Sequence, residues 1–421
     1  MKCKIEKSEL SGTISCPPNK SYTHRAIFMA SLANGRSIIR NALLSRDTLA
    51  TINACRVFGA KIETHDSTVT IENAGKVSPT GTEIDASNSG TTIRISAAIS
   101  SLSDGTITLT GDSSLRKRPM LPLLDALEKL GAKCTSTNGT PPITVKGRIL
   151  GGNTIIAGSV SSQFISALLI AAPKTENGVT LQIEGDLVSK PYLDVTIAVM
   201  KEFGVNVNSI TRYKKYNIPK QDYKPIDFTV PPDFSSIALL LSAAVLIGKD
   251  MAIVAPVGDL PQGDKAMLSH LEKLGVRITA DDIIRVQAPP ILSGGKFDLS
   301  NTPDLLPPMA ILSLKTSQPL ELYNVKHARF KETDRIAILA RELPKLGVRV
   351  TEKEDGLILE PPKVTTRADL DSADDHRLFM AFCIAGMFVG GCTVTDPESV
   401  DVSYPTFIAD MTKIKAKILV S

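Results

Sequence analysis

A short phrase recurs through this chain at nearly even spacing, and it limits the folds open to the sequence more than any other feature. Phe58-Gly59-Ala60-Lys61 returns as Leu130-Gly131-Ala132-Lys133, Phe203-Gly204-Val205, Leu274-Gly275-Val276-Arg277 and Leu346-Gly347-Val348-Arg349. A worn sixth copy is Ile414-Lys415-Ala416-Lys417, with Lys415 at the glycine position. From Gly59 to Lys415 the steps are 72, 73, 71, 72 and 68 residues. Each copy closes an apolar-periodic stretch and opens an alternating one, as in Lys61-Ile62-Glu63 and Arg349-Val350-Thr351. That pattern marks a helix ending on a left-handed glycine and running into a strand. A fixed period of this length predicts six stacked supersecondary units.

At 421 residues the chain exceeds one ordinary core, and six repeats divide as three plus three, so two domains are expected. Cys16-Pro17-Pro18-Asn19 and the proline-rich stretch from Ile218-Pro219 to Pro231-Pro232 look like crossings between them. On that reading residues 18–224 form a middle domain, and residues 1–17 plus 225–421 form a discontinuous second one, with a hinge near 16–19 and 219–232. Each repeat holds a second, unusually apolar helix: Ala26–Ala33, Ile93–Leu102, Phe164–Ala172, Ile237–Ile247, Leu305–Leu312 and Leu378–Val389. A helix apolar on all sides is buried on all sides. With β-rich runs such as Thr106–Thr110 and Val179–Ile183 between helices, the unit is mixed α/β, with two helices and about four strands.

The polar residues keep the same beat. The apolar helices are preceded by Asn19-Lys20-Ser21, Asn88-Ser89-Gly90, Ser161-Ser162-Gln163, Asp233-Phe234-Ser235, Pro303-Asp304 and Asp375-His376-Arg377. Capping explains the Ser, Asp and Asn residues. It does not explain Lys20, Arg94 and Arg377, because a cation at a helix N-terminus opposes the dipole unless an anion lies between. The other helix set opens with Arg116-Lys117-Arg118, Ser189-Lys190, Gln262-Gly263-Asp264-Lys265, Lys331-Glu332-Thr333-Asp334-Arg335 and Ser403-Tyr404-Pro405. Helix starts converging on one face would bind anions through free amides. The cations Lys20, Arg25, Arg94, Arg118, Lys331, Arg335 and Arg377 suit two anionic ligands, with Asp304 and Glu332 as candidates for proton transfer.

Other chemistry is excluded by its missing signals. No phosphate-binding glycine loop or dinucleotide fingerprint occurs, the five histidines lack metal spacing, and the six cysteines form no close pair. His65 and His270 are expected at the surface. A net charge of +4 is too mild to argue for nucleic acid. Scattered thiols, no leader-like N-terminus and apolar runs too short for a bilayer predict a cytoplasmic, non-membrane protein.

These motifs, in order over nearly the whole chain, resemble those of the EPSP synthase family of enolpyruvyl transferases. The resemblance implies two domains, each of three βαβαββ repeats around buried helices, an inside-out α/β barrel closing on its substrates. It implies transfer of the enolpyruvyl group of phosphoenolpyruvate to the 5-hydroxyl of shikimate 3-phosphate by a monomer that needs no metal or organic cofactor. Carried over by motif, Lys20, Ser21, Arg25, Ser161, Ser162, Gln163, Ser189, Asp304 and Lys331 hold shikimate 3-phosphate. Lys20, Gly90 through its backbone, Arg118, Gln163, Arg335 and Arg377 hold phosphoenolpyruvate. Asp304 takes the hydroxyl proton, and Glu332, with Lys20, protonates the methylene carbon.

Two positions depart from the family pattern. Val402 stands before Ser403-Tyr404-Pro405 where many members carry a lysine, and His327 stands where an asparagine is common. The first predicts a weaker grip on phosphoenolpyruvate unless a neighbouring cation reaches in. Enolpyruvyl transfer to a UDP-amino sugar is an alternative, opposed by the absence of a cysteine near Leu115–Met120. A non-catalytic repeat ring around nucleic acid is another, opposed by cations that sit at helix starts rather than along helix faces.

Overall fold

The computed structural model describes residues 1–256 and 258–420. The chain forms two compact units: Pro18–Pro231, and Met1–Pro17 with the chain from Pro232 on. The middle unit runs past residue 224 because the strand Asp227–Thr229 pairs in parallel with Asn34–Arg40 and so belongs to its sheet.

The repeat is seen whole in residues 83–146. The strand Glu83–Asp85 leads through the helix Gly90–Ser100 to a parallel partner, Thr106–Thr110. The helix Leu121–Lys129 then leads to the hairpin Lys133–Thr137 and Thr140–Lys146, whose second strand pairs antiparallel with Thr106–Thr110. Residues 152–218 repeat this order. Among the described residues there are six such four-stranded open sheets, three in each unit.

Among the described residues three sheets are assembled from consecutive segments, and three take one strand from a distant part of the chain. Asp227–Thr229, at the end of the middle unit, is the leading strand for its first helix. Leu10–Ser15 leads the sheet of Gly248–Val254, although the whole middle unit intervenes in sequence. Lys2–Ile5 lies between Cys392–Thr395 and Ile418–Val420 and completes the last repeat.

The apolar helices form the cores. In the middle unit, Gly90–Ser100 packs on Ser162–Ala171, and Lys20–Leu32 adjoins them. In the other unit, Phe234–Ile247, Leu306–Ile311 and His376–Val389 pack together, and every residue from Phe234 to Leu246 is buried. Each leucine so buried contributes roughly 1.5–3 kcal/mol. Ser242 Oγ, buried in this core, reaches the carbonyl oxygens of Ala238 and Pro308. The helix expected at Leu305–Leu312 is α-helical only over Leu306–Ile311, flanked by 3₁₀ turns. Pro307 and Pro308 occupy its first turn, where the missing N–H groups cost least.

The glycine phrase behaves as the sequence requires. Gly59, Gly131, Gly204, Gly275 and Gly347 have φ of 97°, 110°, 77°, 92° and 97°, and Lys415 adopts 76° at the same point. A side chain there costs about 1–2 kcal/mol. Lys415→Gly is therefore expected to stabilise the fold by roughly 0.5–1 kcal/mol once the greater freedom of glycine in the unfolded chain is subtracted. A melting temperature that falls in this variant would contradict the assignment.

His65 is exposed as expected. His270 is not a surface residue: its ring meets Phe297 edge-on at a centroid distance of 5.1 Å, and burial lowers its pKa to about 4.

Candidate active site

In the middle unit, Lys20 is the first residue of its helix, capped by Asn19, whose side chain accepts from Tyr22 N. The Lys20 ammonium is 3.0 Å from Asp47 Oδ2, with both side chains largely buried. Asp47 was not singled out by sequence. It opens the helix Arg46–Val57 behind the N-cap Ser45, and this start keeps the phase of the other second helices, which was the available signal.

A hydroxyl chain ties three helix starts together. His24 Nδ1 lies 2.7 Å from Thr51 Oγ1, Thr51 Oγ1 is 2.7 Å from Thr92 Oγ1, and Thr92 donates to Ser89 Oγ at 2.7 Å. Burial, then the charges of Lys20 and Arg25, hold His24 well below its ordinary pKa, so it is neutral.

Arg25 is 1% exposed, and among the described residues its hydrogen-bond partners are neutral. Its Nε donates to Thr196 Oγ1 at 2.8 Å and its Nη1 to the Ser21 carbonyl at 3.0 Å, with Nη2 facing Ser166 and the Tyr192 carbonyl. Burial lowers its pKa to about 10. Arg118 also has neutral partners, Asn88 Oδ1 at 2.9 Å and Ser114 Oγ at 3.5 Å. Asn88 is oriented in turn by Asp112 at 2.7 Å. A buried guanidinium without a carboxylate is costly unless an anion completes it.

Gln163 accepts from Arg94 Nη1 and donates to Thr91 Oγ1 at 3.1 Å, which brings it beside Gly90. Ser161 caps its helix by accepting from Gln163 N, and Ser162 is the first helical residue. Ser189 is buried in a left-handed conformation, φ 54°, with no capping bond. Such strain in a non-glycine residue concentrates at functional sites.

Gly90 is where space is tightest. A Cβ there would be 3.1 Å from Arg118 Nη1, 3.2 Å from Arg94 Nη1 and 3.4 Å from Gln163 Oε1. Its backbone is helical, so Gly90→Ala is expected to leave stability unchanged or slightly raised. The methyl forces the guanidiniums apart at a cost of about 1–3 kcal/mol, so an anion that uses them should bind roughly fivefold or more weakly. An unchanged affinity would remove Gly90 from the anion site.

In the other unit, Arg335 is the hub. Its Nε donates to Asp375 Oδ2 at 2.7 Å, Nη1 to Asp304 Oδ1 at 2.8 Å, and Nη2 to Glu332 Oε2 at 2.9 Å and Asp375 Oδ1 at 3.3 Å. Of the five guanidinium N–H groups these use four, which leaves one, on Nη1, for a ligand. Burial alone would lower its pKa, but Asp375, Glu332 and Asp304 more than offset this and hold it above its ordinary value. Asp304 is also 3.5 Å from Lys331 Nζ and 3.2 Å from Arg377 Nη2.

Asp304 thus meets three cations; the N-cap of its own helix start, Thr302, makes no side-chain capping bond. The helix after Lys331-Glu332 begins at Arg335, capped by Asp334, so Lys331 and Glu332 stand free of it. Asp375 caps the helix His376–Val389 with one oxygen and grips Arg335 with both. His327 is mostly buried, its Nε2 has no partner, and burial followed by Lys331 lowers its pKa to about 4. Val402 is 1% exposed, so a lysine there would have to enter an apolar interior.

Carboxylates on a shared guanidinium, with helix starts carrying Lys and Arg elsewhere in the chain, make a setting suited to small anionic ligands. The chain matches the family described as EPSP synthase (3-phosphoshikimate 1-carboxyvinyltransferase) over residues 5–411. It is 59% identical to a 3-phosphoshikimate 1-carboxyvinyltransferase of Nitrosopumilus maritimus over 99% of both chains. It is 45% identical to that of Methanosarcina mazei, again over 99% of both. Its fold resembles the EPSP synthase of Acinetobacter baumannii with a TM-score of 0.82 at 25% identity, covering 100% of this chain and 99% of that one. The chain belongs to the EPSP synthase family.

Proposed function

We propose that Asp304 and Glu332, joined through Arg335, carry the proton transfers of the family's reaction, with Lys20 assisting. The protein transfers the carboxyvinyl group of phosphoenolpyruvate to the 5-hydroxyl of shikimate 3-phosphate and releases phosphate. The 5-oxygen attacks C2 of phosphoenolpyruvate as Asp304 takes its proton. The π electrons move to C3, which takes a proton from Glu332. In the second half the C3 proton returns to Glu332, the C–O bond to phosphate breaks, and phosphate leaves with the proton held by Asp304. Each positioned acid or base is worth roughly 10²–10⁴ in rate.

Ser21, Arg25, Ser161, Ser162, Gln163, Ser189 and Lys331 are assigned to shikimate 3-phosphate together with Lys20 and Asp304. Lys20, the Gly90 amide, Arg118, Gln163, Arg335 and Arg377 are assigned to phosphoenolpyruvate. The observation that carries this reading is the grip of one buried guanidinium on both Asp304 and Glu332. The neutral surroundings of Arg25 and Arg118 support the anion assignments. Six free cysteines support a reducing, cytoplasmic setting.

Phosphate release tests the reading, with each substrate omitted in turn and EDTA present. Turnover needing both substrates supports it. Binding of both ligands without turnover would leave the anion sites and remove the proton-transfer assignment.

A further inference from the structure

Among the cations that the sequence marks at helix starts, Arg94 is assigned to neither substrate. It lies one turn into the helix Gly90–Ser100 and is 7% exposed. Its guanidinium carbon sits over the Phe164 ring, 4.9 Å from the centroid, and its Nη1 donates to Gln163 Oε1. Ring and amide together fix the guanidinium where this helix packs on Ser162–Ala171.

Gln163 is held at three points. Its backbone N–H goes to Ser161 Oγ at 3.3 Å, its Nε2 donates to Thr91 Oγ1 at 3.1 Å, and its Oε1 accepts from Arg94. The two side-chain anchors are not equivalent. A hydroxyl donates or accepts, so Thr91 can meet either end of an amide. A guanidinium only donates, so Arg94 can meet only the oxygen. Arg94 therefore decides which way the amide points. Of the two hydrogens on Nε2, Thr91 takes one, and among the described residues the other is left for an acceptor. The group lies against Gly90, where a Cβ would be 3.2 Å from Arg94 Nη1 and 3.4 Å from Gln163 Oε1. An amide oxygen beside an anion is repulsive unless a cation covers it, and Arg94 does so.

We infer that Arg94 is a positioning residue of the phosphoenolpyruvate subsite, acting through Gln163. It turns the amide so that an N–H, and not a carbonyl oxygen, is offered to the anion. The inference rests on the assignment of Gln163 to that substrate. Without Arg94 the amide is held by Thr91 in either sense, and the flipped form sets its oxygen against the substrate.

The test is the Michaelis constant for phosphoenolpyruvate in Arg94→Met, Gln163→Met and the double variant, at a temperature where circular dichroism shows each folded. Methionine keeps an unbranched apolar stem against Phe164 and removes the donor. Arg94→Met is expected to raise the constant roughly tenfold, about the worth of one charge-assisted hydrogen bond. The turnover number, carried by Asp304 and Glu332, should change by less than about threefold. In the Gln163→Met background the same substitution should add less than about twofold, since no amide remains to be turned. Thr91→Val removes the anchor that does not choose and should also cost less than about twofold. Arg94→Lys retains a group that only donates and should fall between the wild type and Arg94→Met. It carries the same cycle if the methionine variant does not fold.

Effects that multiply in the double variant would show that Arg94 acts on the anion by its own charge. A lower melting temperature with an unchanged constant would make Arg94 a structural part. A loss in Thr91→Val as large as that in Arg94→Met would give the orientation to Thr91. Each of these overturns the proposal. No turnover in the wild type, or an unchanged constant in Gln163→Met alone, would instead remove the assignment of Gln163, and the proposal with it.

Discussion

Asp304→Asn is expected to lower kcat by roughly 10²–10⁴ while shikimate 3-phosphate still binds. Asparagine keeps the shape of the side chain but cannot take a proton from the attacking hydroxyl. It also turns an amide group toward the cations that now hold the carboxylate: Arg335 at 2.8 Å, Arg377 at 3.2 Å and Lys331 at 3.5 Å. The wild-type cluster sets Lys331, Arg335 and Arg377 against Asp304, Glu332 and Asp375, so the variant carries one surplus positive charge. Anion binding is therefore expected to hold or tighten as turnover collapses. Calorimetry with each substrate separates the two effects. A fall in kcat of less than tenfold, with binding intact, would assign the proton transfer to another group.

That prediction began in sequence, and its limits show what sequence could carry. The repeat was legible because a left-handed helix end selects glycine so strongly that the position stands out five times, and even Lys415 keeps the geometry. The buried helices were legible because a helix covered on every face has no polar side. The exchange of end strands was not. Asp227–Thr229 is three residues long and Lys2–Ile5 four, and their partners lie far away in the chain, where no local pattern reports pairing.

The site shows the same division. Residue types at helix starts were visible, because amides, dipoles and cations act locally. Their pairings were not. Asp304 stood in phase with the caps but is spent on three cations, and Asp375 caps one helix while gripping Arg335 at the start of another. Lys20 was expected to be free for a ligand and shares its charge with Asp47. Which carboxylate meets which cation is decided by how the buried helices stack, which is a property of packing and not of the local sequence.

Arg335→Met is expected to cost about 3–5 kcal/mol, the usual result of removing one partner from a buried ionic cluster. With Arg335 gone, Asp304, Glu332 and Asp375 lose the guanidinium they share, and the remaining cations, Arg377 and Lys331, lie at Asp304. For a unit of this size the melting temperature should fall by roughly 6–20 °C. The deficit should be larger at pH 8 than at pH 5, since at the lower pH the orphaned carboxyls can take up protons in place of the lost cation. Arg335→Lys should recover little of it, because one ammonium cannot span three carboxylates that a planar fork holds apart. A buried cluster of this kind is poor evidence of selection for stability, since apolar replacement of every member often costs nothing. Its retention is better explained by the alignment of Asp304 with Glu332, which Nη1 and Nη2 of one guanidinium fix relative to each other. On that view turnover in Arg335→Lys falls by more than its stability loss explains, measured at a temperature where the variant is fully folded. Near-normal kcat in that folded variant would show that the two carboxyls need no shared guanidinium.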